Sequence, residues 1–287
     1  MSNFFISTKA PVPMLVLTSA WSAEAAAFMI QNRIVGLRLS GYLGWESRDL
    51  NFLQESPFVE YLEILTTELS DVRGLYLLKQ LKYLYLEGKT PPIRFYDLPR
   101  LQTLALGKVN VPLYRNLLDV KSLRKLSLAA PHASILNELG QLTVLQDLGI
   151  SRTRIVNLGC VGVLPGLRKL SLVSCNSLVT LKGIETARHL VVLYVEQARH
   201  LKDVSSLASL HLLRTLVLNQ CPEIESIGAI AGLPQLETVG LMQTTNVRDG
   251  DLTALKALPK LCYASFINRE HYSSTNEEFP KAGTPYY

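Results

Sequence analysis

Leucine and other large apolar residues recur along the chain in a fixed pattern, L-x-x-L-x-L. Clear copies, whose successive starts are 20 to 23 residues apart, begin at Leu81, Leu101, Leu123, Leu145, Leu167, Leu190, Leu213 and Leu236. Weaker copies begin at Ile34, Val59 and Leu261, which brings the series to eleven. Eleven copies in phase indicate one repeated structural unit rather than a set of separate domains.

The spacing within each copy predicts a short β-strand, because its last two apolar residues are two positions apart and point to the same face. The rest of each repeat must return the chain to the start of the next strand. In one repeat, apolar residues recur every three positions, at Ile224, Ile227, Ile230 and Leu233, which is the period of a 3₁₀ helix. The sequence therefore predicts an α/β repeat fold, a leucine-rich-repeat solenoid (horseshoe). Parallel strands would line its concave face, and short 3₁₀ or helical turns its convex face.

The two ends of the chain depart from the repeat and are expected to cap it. We divide the sequence into an N-terminal cap with a helix at 1–33, leucine-rich repeats at 34–266, and a C-terminal cap and tail at 267–287. Ser22 precedes a helix-forming stretch and is a candidate N-cap. Ala26, Met29 and Ile30 fall on one face of this predicted helix, and we expect that face to seal the first repeat.

The composition is compatible with a large core, since 48% of the residues are hydrophobic and 18% are charged. The sequence contains no run of about 18 apolar residues, which is the length needed to span a membrane. Pro11 and Pro13 interrupt the apolar stretch that a signal peptide would need. We therefore expect a cytoplasmic protein without membrane contact. The formal charge of +5 does not by itself predict a nucleic-acid partner, because the central row of outward strand positions contains one basic residue, Arg38.

The sequence offers no strong motif for catalysis, for a metal or for a cofactor. The four cysteines are far apart and the five histidines lack the spacing of metal ligands, so we expect no metal, no cofactor and no small-molecule substrate. Gly88, Lys89 and Thr90 resemble the end of a phosphate-binding loop. However, Tyr83 stands where that loop needs glycine, and Pro91 follows where its helix should continue.

Acidic and aromatic residues concentrate in the N-terminal repeats. The segment 46–71 contains seven acidic residues and one base. The outward strand positions of two adjacent repeats hold our first candidate protein-binding site, formed by Tyr61, Glu63, Tyr83, Tyr85 and Glu87. Tyrosine is enriched at interface hot spots, and acids attract a basic partner. Tyr194 and Glu196 form a smaller second group. A solvated acidic surface, whose tyrosines only shield the strand edges, fits the same residues equally well.

Three further segments carry a family resemblance. Residues 44–53 read G-W-E-S-R-D-L-N-F-L, residues 246–252 read N-V-R-D-G-D-L, and residues 266–278 read F-I-N-R-E-H-Y-S-S-T-N-E-E. Together they resemble a group of cytosolic bacterial leucine-rich-repeat proteins with internalin-like repeats. Those proteins end in a similar F-x-N-R-x-H-Y-S-H segment, and here Ser274 replaces the second histidine of that pattern.

We expect the last of these segments to be a structural cap rather than an active site. Phe266 and Tyr272 can cover the last repeat, because both are large aromatic residues at its end. Arg269 and His271 can hydrogen-bond the exposed edge of the last strand, which would otherwise present unpaired backbone groups.

The resemblance also implies a role, because several proteins of that group resemble immunity partners of secreted antibacterial toxins. The first hypothesis is a non-catalytic protein-binding scaffold, an immunity protein that neutralises a cognate toxin with a basic domain. The alternative is a regulatory or adaptor leucine-rich-repeat subunit of a cellular enzyme such as a phosphatase. An enzyme or a nucleic-acid binder is the weakest hypothesis, since an open concave face provides no enclosed pocket.

Overall fold

Short strands recur at the predicted repeat positions in the computed structural model of the chain, which describes residues 3–8, 12–109 and 117–282. The chain divides into two units, Met1–Leu128 and Ala129–Tyr287. Within each unit, neighbouring strands pair in chain order, and every described pair except the first is parallel. The predicted leucine-rich-repeat fold is therefore confirmed. The division into cap, repeats and tail stays a prediction.

The described strands of the first unit are β1 (Phe4–Ser7), β2 (Met14–Leu17), β3 (Gly36–Ser40), β4 (Tyr61–Glu68), β5 (Tyr83–Lys89), β6 (Thr103–Val109) and β7 (Lys125–Ala129), whose last residue belongs to the second unit. Helix α1 (Ala23–Gln31) connects β2 to β3. β1 is antiparallel to β2, and β2 is parallel to β3, with Met14 opposite Gly36. The sheet therefore begins before Ile34, the first residue that the repeat pattern identified.

The described residues of the second unit form β8 (Asp147–Ser151), β9 (Lys169–Val173), β10 (Val192–Glu196), β11 (Thr215–Asn219), β12 (Thr238–Met242) and β13 (Tyr263–Phe266). Two short helices belong to the same unit, α2 (Ala133–Glu138) and α3 (Thr253–Lys256). Each strand lies in register with the next, so that the residues at one repeat position form a row across the sheet.

Most connections contain a short 3₁₀ helix, as the three-residue period predicts. These helices span Gly41–Leu43, Asn51–Glu55, Arg73–Leu77, Phe95–Asp97, Leu139–Gln141, Ile184–Thr186, Ser205–Ser209 and Gly228–Ile230. A further 3₁₀ helix, Asn276–Glu278, follows the last strand. Ile224, Ile227, Ile230 and Leu233 are all 0% exposed, so this apolar row faces the core. Burial of each such side chain contributes about 1.5–3 kcal/mol, which explains why the row recurs.

Small residues fill the turn that follows several strands. Cys175 and Cys221 occupy this position and are fully buried, and their thiols donate to the carbonyl oxygens of Ile150 and Val195, each at 3.9 Å. Burial raises the pKa of Cys175 to about 11 and that of Cys221 to about 12. Both thiols are therefore protonated at neutral pH and act as small packing groups.

A row of left-handed residues follows the strands around the second unit. Its members, with φ between 51° and 56°, are Ala130, Arg152, Ser174, Gln197, Gln220 and Gln243. In all but the last, the backbone N–H donates to the carbonyl of the final residue of the next strand, over 2.8–3.3 Å. No glycine occupies the row, although this conformation costs other L-residues about 1–2 kcal/mol. The hydrogen bond to the next repeat offsets that cost.

Helix α1 begins as predicted, because the Ser22 side chain accepts a hydrogen bond from the Ala25 N–H at 3.2 Å. The predicted packing face was partly wrong. Ala25 and Met29 are 1% and 0% exposed, whereas Ile30 is 59% exposed. Residues four positions apart stack on one face of a helix, and Ile30 is rotated by about 100° from Met29. The apolar side chain of Ile30 therefore points away from the first repeat.

The C-terminal segment covers the last repeat, but only some of its residues make the predicted contacts. Phe266 packs edge-on against Tyr272 at 5.9 Å between ring centroids, as expected. Arg269 and His271 do not bind the strand edge. They donate to carbonyl oxygens in the turn after β12, those of Thr245 and Val247, at 3.3 and 3.1 Å.

The edge of β13 is closed by residues further along the chain. The side chain of Asn276 accepts from the Phe266 N–H at 3.1 Å, and the Pro280 carbonyl accepts from the Ala264 N–H at 3.1 Å. The Lys281 side chain donates to the Ala264 carbonyl. These contacts leave the edge of β13 less open to pairing with another strand.

Candidate protein-binding surface

The residues of the first candidate site lie on one face of β4 and β5. Tyr61 is opposite Tyr83 and Glu63 is opposite Tyr85, while Glu87 follows Tyr85 on the same face of β5. The intervening residues Leu62, Ile64, Leu84 and Leu86 are 0% exposed and face the core. Because strand side chains alternate between the two faces, the candidate residues point away from the core. We call Tyr61, Glu63, Tyr83, Tyr85 and Glu87 the aromatic–acidic patch.

Glu63 is the buried anchor of this patch. It is 8% exposed, and its carboxylate forms an ion pair with Arg38 on β3 at 2.5 Å. The Tyr83 hydroxyl donates to the same carboxylate at 3.5 Å. Arg38 thus neutralises the charge of Glu63, and Glu63 positions Tyr83 instead of presenting a free charge to a partner.

Tyr85 and Glu87 form a second hydrogen-bonded pair in the patch. The Tyr85 hydroxyl donates to the Glu87 carboxylate at 2.6 Å. The side chain of Glu87 lies against Gly107 on β6, where an added Cβ atom would come within 3.0 Å of the Glu87 Cβ. Glu87 forms no ion pair with any other described residue. It is therefore the acid of the patch whose charge is available to a partner.

Contacts within the sheet hold the tyrosines of the patch in place, and Tyr83 and Tyr85 are protonated at neutral pH. The rings of Tyr61 and Tyr83 stack with 6.1 Å between their centroids. Burial, followed by the charge of Glu63, raises the pKa of Tyr83 to about 12. Burial and the hydrogen bond to Glu87 also raise the pKa of Tyr85. At neutral pH both hydroxyls are donors in fixed positions, and neither is a base or a nucleophile.

The acidic segment 46–71 does not act as one charged surface. Glu60 pairs with Lys82 at 2.6 Å, and Asp71 pairs with Arg73 at 2.6 Å. Glu55 accepts a hydrogen bond from the Trp21 indole at 2.9 Å. Most of these acids therefore have local structural roles, and less negative charge adjoins the patch than the sequence predicted.

The second predicted group lies on β10 in the other unit, and it includes a residue that the sequence did not single out. The Tyr194 hydroxyl donates to Glu196 at 2.7 Å, which repeats the arrangement of Tyr85 and Glu87. Asn219 on β11 lies opposite Glu196 and donates to its carboxylate at 3.3 Å. Burial and the hydrogen bond to Glu196 raise the pKa of Tyr194. The sequence could have predicted this contact, because Asn219 and Glu196 occupy the same position in adjacent repeats.

The segment that resembles the end of a phosphate-binding loop is part of a strand. Gly88, Lys89 and Thr90 do not form a loop before a helix, since β5 extends to Lys89. Gly88 has a φ of 122°, and an added Cβ atom would lie 1.9 Å from the Thr66 carbonyl oxygen, so glycine is needed for close strand packing. In the described part of the chain, no three His, Cys, Asp or Glu side chains form a group that could hold a metal ion. No helix within that part is sufficiently long and apolar to cross a membrane.

Comparison with known proteins supports the fold. No protein-family model and no curated protein matches the sequence. Among solved structures, internalin C2 from Listeria monocytogenes is 23% identical, with 67% of this chain and 84% of that chain covered and a TM-score of 0.51. Its leucine-rich-repeat fold agrees with the architecture described above.

Two further solved structures are more distant. The internalin InlF from Listeria monocytogenes is 16% identical over 75% of this chain and 83% of its own, with a TM-score of 0.39. The leucine-rich-repeat domain of the type III effector XopL is 16% identical over 76% of this chain and 81% of its own, with a TM-score of 0.49. At these identities the similarity concerns the fold alone.

Proposed function

We propose that the chain is a non-catalytic, cytoplasmic protein-binding scaffold whose aromatic–acidic patch holds a partner protein. The observation that carries this proposal is the outward-facing group of three tyrosines and Glu87, which are fixed by contacts within the sheet. Rigid tyrosines provide contact area without a large loss of side-chain entropy on binding. They are also among the residues enriched at interface hot spots.

The chemistry of the patch suits binding better than catalysis. Tyr83 and Tyr85 have raised pKa values and are protonated at neutral pH. The Glu63 carboxylate is engaged by Arg38 and by Tyr83. The hydroxyls of Tyr83 and Tyr85 are therefore donors rather than general bases near neutral pH. The Glu87 carboxylate can accept hydrogen bonds from a partner and can form an ion pair with a basic side chain.

For the partner, we propose a basic domain of an antibacterial toxin, which the chain would neutralise as its immunity protein. This step rests on the resemblance of residues 266–278 to the C-terminal segment of immunity-like repeat proteins. The available charge of Glu87 fits a basic surface, because opposite charges speed the encounter of two proteins. Toxins that act on nucleic acids or nucleotides have basic clefts, which this patch would cover.

The test is capture of the partner from the source cell by the tagged full chain, followed by toxicity assays. The variant carries Tyr83→Ala with Glu87→Lys. The matched control carries Tyr96→Ala with Glu138→Lys, which changes an exposed tyrosine and an exposed glutamate outside the patch. We expect the wild type and the control to capture a toxin and to protect cells that express it, and the variant to do neither.

Other outcomes of this experiment are equally informative. A captured cellular enzyme whose activity the chain alters would favour the regulatory or adaptor alternative over immunity. Equal capture by the variant and the control would remove the aromatic–acidic patch from the proposal. Conversion of the captured partner or of a small molecule by the purified chain would contradict a non-catalytic role.

A further inference from the structure

A pocket of about 490 Å³ opens in the second unit where two successive repeats use different connections. In one repeat the connection after the strand contains helix α2. In the next repeat, residues 154–163 form the corresponding connection, which consists of bends and turns without a regular helix. Connections of unlike shape cannot stack as closely as matched 3₁₀ turns. The resulting space is in the size range of small-molecule sites, which is about 300–1,000 Å³.

Two arginines provide the charge in the lining of this pocket. Arg152 and Arg154 both line it, and both are exposed. In the part of the chain that the structure describes, neither guanidinium has an ion-pair or hydrogen-bond partner. No aspartate or glutamate lines the pocket. Two arginines without acids beside them produce a positive potential that attracts an anion.

Two further side chains add polar groups to the same pocket. The Nδ1 atom of His132 lies 2.8 Å from the Ser134 Oγ atom and 3.3 Å from the Ser134 backbone nitrogen, so Nε2 is the ring nitrogen that remains for a ligand. Asn157 accepts at Oδ1 from the Gly159 N–H at 3.1 Å, which leaves its NH₂ group as a donor. Both residues line the pocket. Their remaining groups complement the oxygen atoms of a carboxylate or a phosphate.

Apolar side chains form the rest of the lining. Leu136 on α2 is 2% exposed and contributes to the pocket wall, together with Ile155 and Val156. Val156 is 55% exposed, so its side chain is open to contact by a ligand. Burial of such surface by an apolar group would add to the affinity that the donors provide.

We propose that this pocket binds a small oxyanion, a phosphate or a carboxylate, that is attached to an apolar group. The arginines hold the anion through charge-assisted, bidentate hydrogen bonds, and the apolar wall holds the attached group. This site is independent of the aromatic–acidic patch, which belongs to the first unit.

Titration calorimetry on the full chain with three probes tests the proposal. The probes are phenyl phosphate, phenylacetate and inorganic phosphate, and we expect phenyl phosphate or phenylacetate to bind saturably and more tightly than inorganic phosphate. Preference for phenyl phosphate assigns the site to phosphate esters, and preference for phenylacetate assigns it to carboxylates. Equal binding of inorganic phosphate and both phenyl probes, or no saturable binding of any probe, would overturn the proposal.

The matched variants separate this pocket from general charge effects. In the double variant Arg152→Gln with Arg154→Gln, the dissociation constant of the preferred probe should rise at least about 10-fold, because charge-assisted hydrogen bonds are lost. Glutamine suits position 152, since Gln197, Gln220 and Gln243 have the same left-handed backbone in equivalent places. The control, Arg188→Gln with Arg199→Gln, removes two exposed arginines elsewhere in the second unit and should change the constant less than about twofold. Equal losses in both variants would contradict the site.

The alkylation rate of Cys160 reports whether a probe binds in this pocket, independently of its dissociation constant. Its partly exposed thiol lines the pocket, whereas Cys262 is exposed and does not. A saturating probe should slow alkylation of Cys160, measured by mass spectrometry, and leave the rate at Cys262 unchanged. An unchanged rate at Cys160 with saturated calorimetric binding would place the probe elsewhere and refute the proposal.

Discussion

Removal of either partner of the Arg38–Glu63 ion pair should destabilise the first unit, and by unequal amounts. Two unit charges about 4 Å apart attract by about 4 kcal/mol at an effective dielectric constant of about 20, and desolvation cancels much of this energy. The side chain of Arg38 is 29% exposed and that of Glu63 is 11% exposed. Arg38→Gln leaves a nearly buried carboxylate and should cost about 2–3 kcal/mol. Glu63→Gln leaves a guanidinium that water can reach and should cost about 1 kcal/mol.

Urea denaturation followed by circular dichroism measures these costs in the two single variants and in the double variant. We expect a coupling free energy of about 1–2 kcal/mol between the two sites. Lys82→Gln is the matched control, because Lys82 and Glu60 form a more exposed pair, with 39% and 27% of their side chains exposed. It should cost less than about 1 kcal/mol. The reasoning is wrong if Glu63→Gln costs as much as Arg38→Gln, or if the coupling is below about 0.3 kcal/mol.

Three further outcomes are expected. Leu170→Asp places an unpaired charge at a fully buried position, so calorimetry should show the second unit unfolding at a much lower temperature, and a wild-type melting curve would contradict the register. Asn276→Ala removes the acceptor of the Phe266 N–H and should cost about 1–2 kcal/mol by urea denaturation, whereas no loss would mean that the edge of β13 is satisfied otherwise. The pKa of Tyr83 is raised from 10.0 to about 12, so the unfolded chain ionises first and stability falls as the pH rises from about 10 towards 12. Tyr83→Phe should reduce that fall, and an unchanged pH profile would refute it.

Much of the fold follows from the sequence because the repeat imposes it. The strand spacing predicted which residues of β4 and β5 face outward, and the apolar row from Ile224 to Leu233 predicted a buried 3₁₀ connection. These patterns are reliable because each repeat can bury its apolar residues only against its neighbours.

Other features depend on tertiary contacts that the repeat pattern does not encode. The sequence did not predict the left-handed residues after the strands, because no glycine marks these positions. Arg152 and Gln197 adopt this conformation because a backbone hydrogen bond to the next repeat stabilises it. β2 was missed because prolines interrupt the N-terminal segment and it lacks the leucine pattern. The buried state of Glu63 depends on Arg38 in the preceding repeat. Alignment of the repeats places Arg38 and Glu63 in one row across the strands. Their position alone does not predict that Glu63 is buried or that the two residues form an ion pair.

The measurement that tests the central claim most directly is the dissociation constant of the captured partner for the chain with Tyr83→Ala and Glu87→Lys. Both residues face outward from β5, and Glu87 is used in place of Glu63 because Glu63 is buried and paired. Loss of an anchoring aromatic and inversion of an available charge should weaken binding by about 2 kcal/mol or more, which is about 30-fold at 25 °C. The control with Tyr96→Ala and Glu138→Lys should bind as the wild type does. An unchanged constant in the patch variant, with its fold intact by circular dichroism, would contradict the assignment of the binding surface.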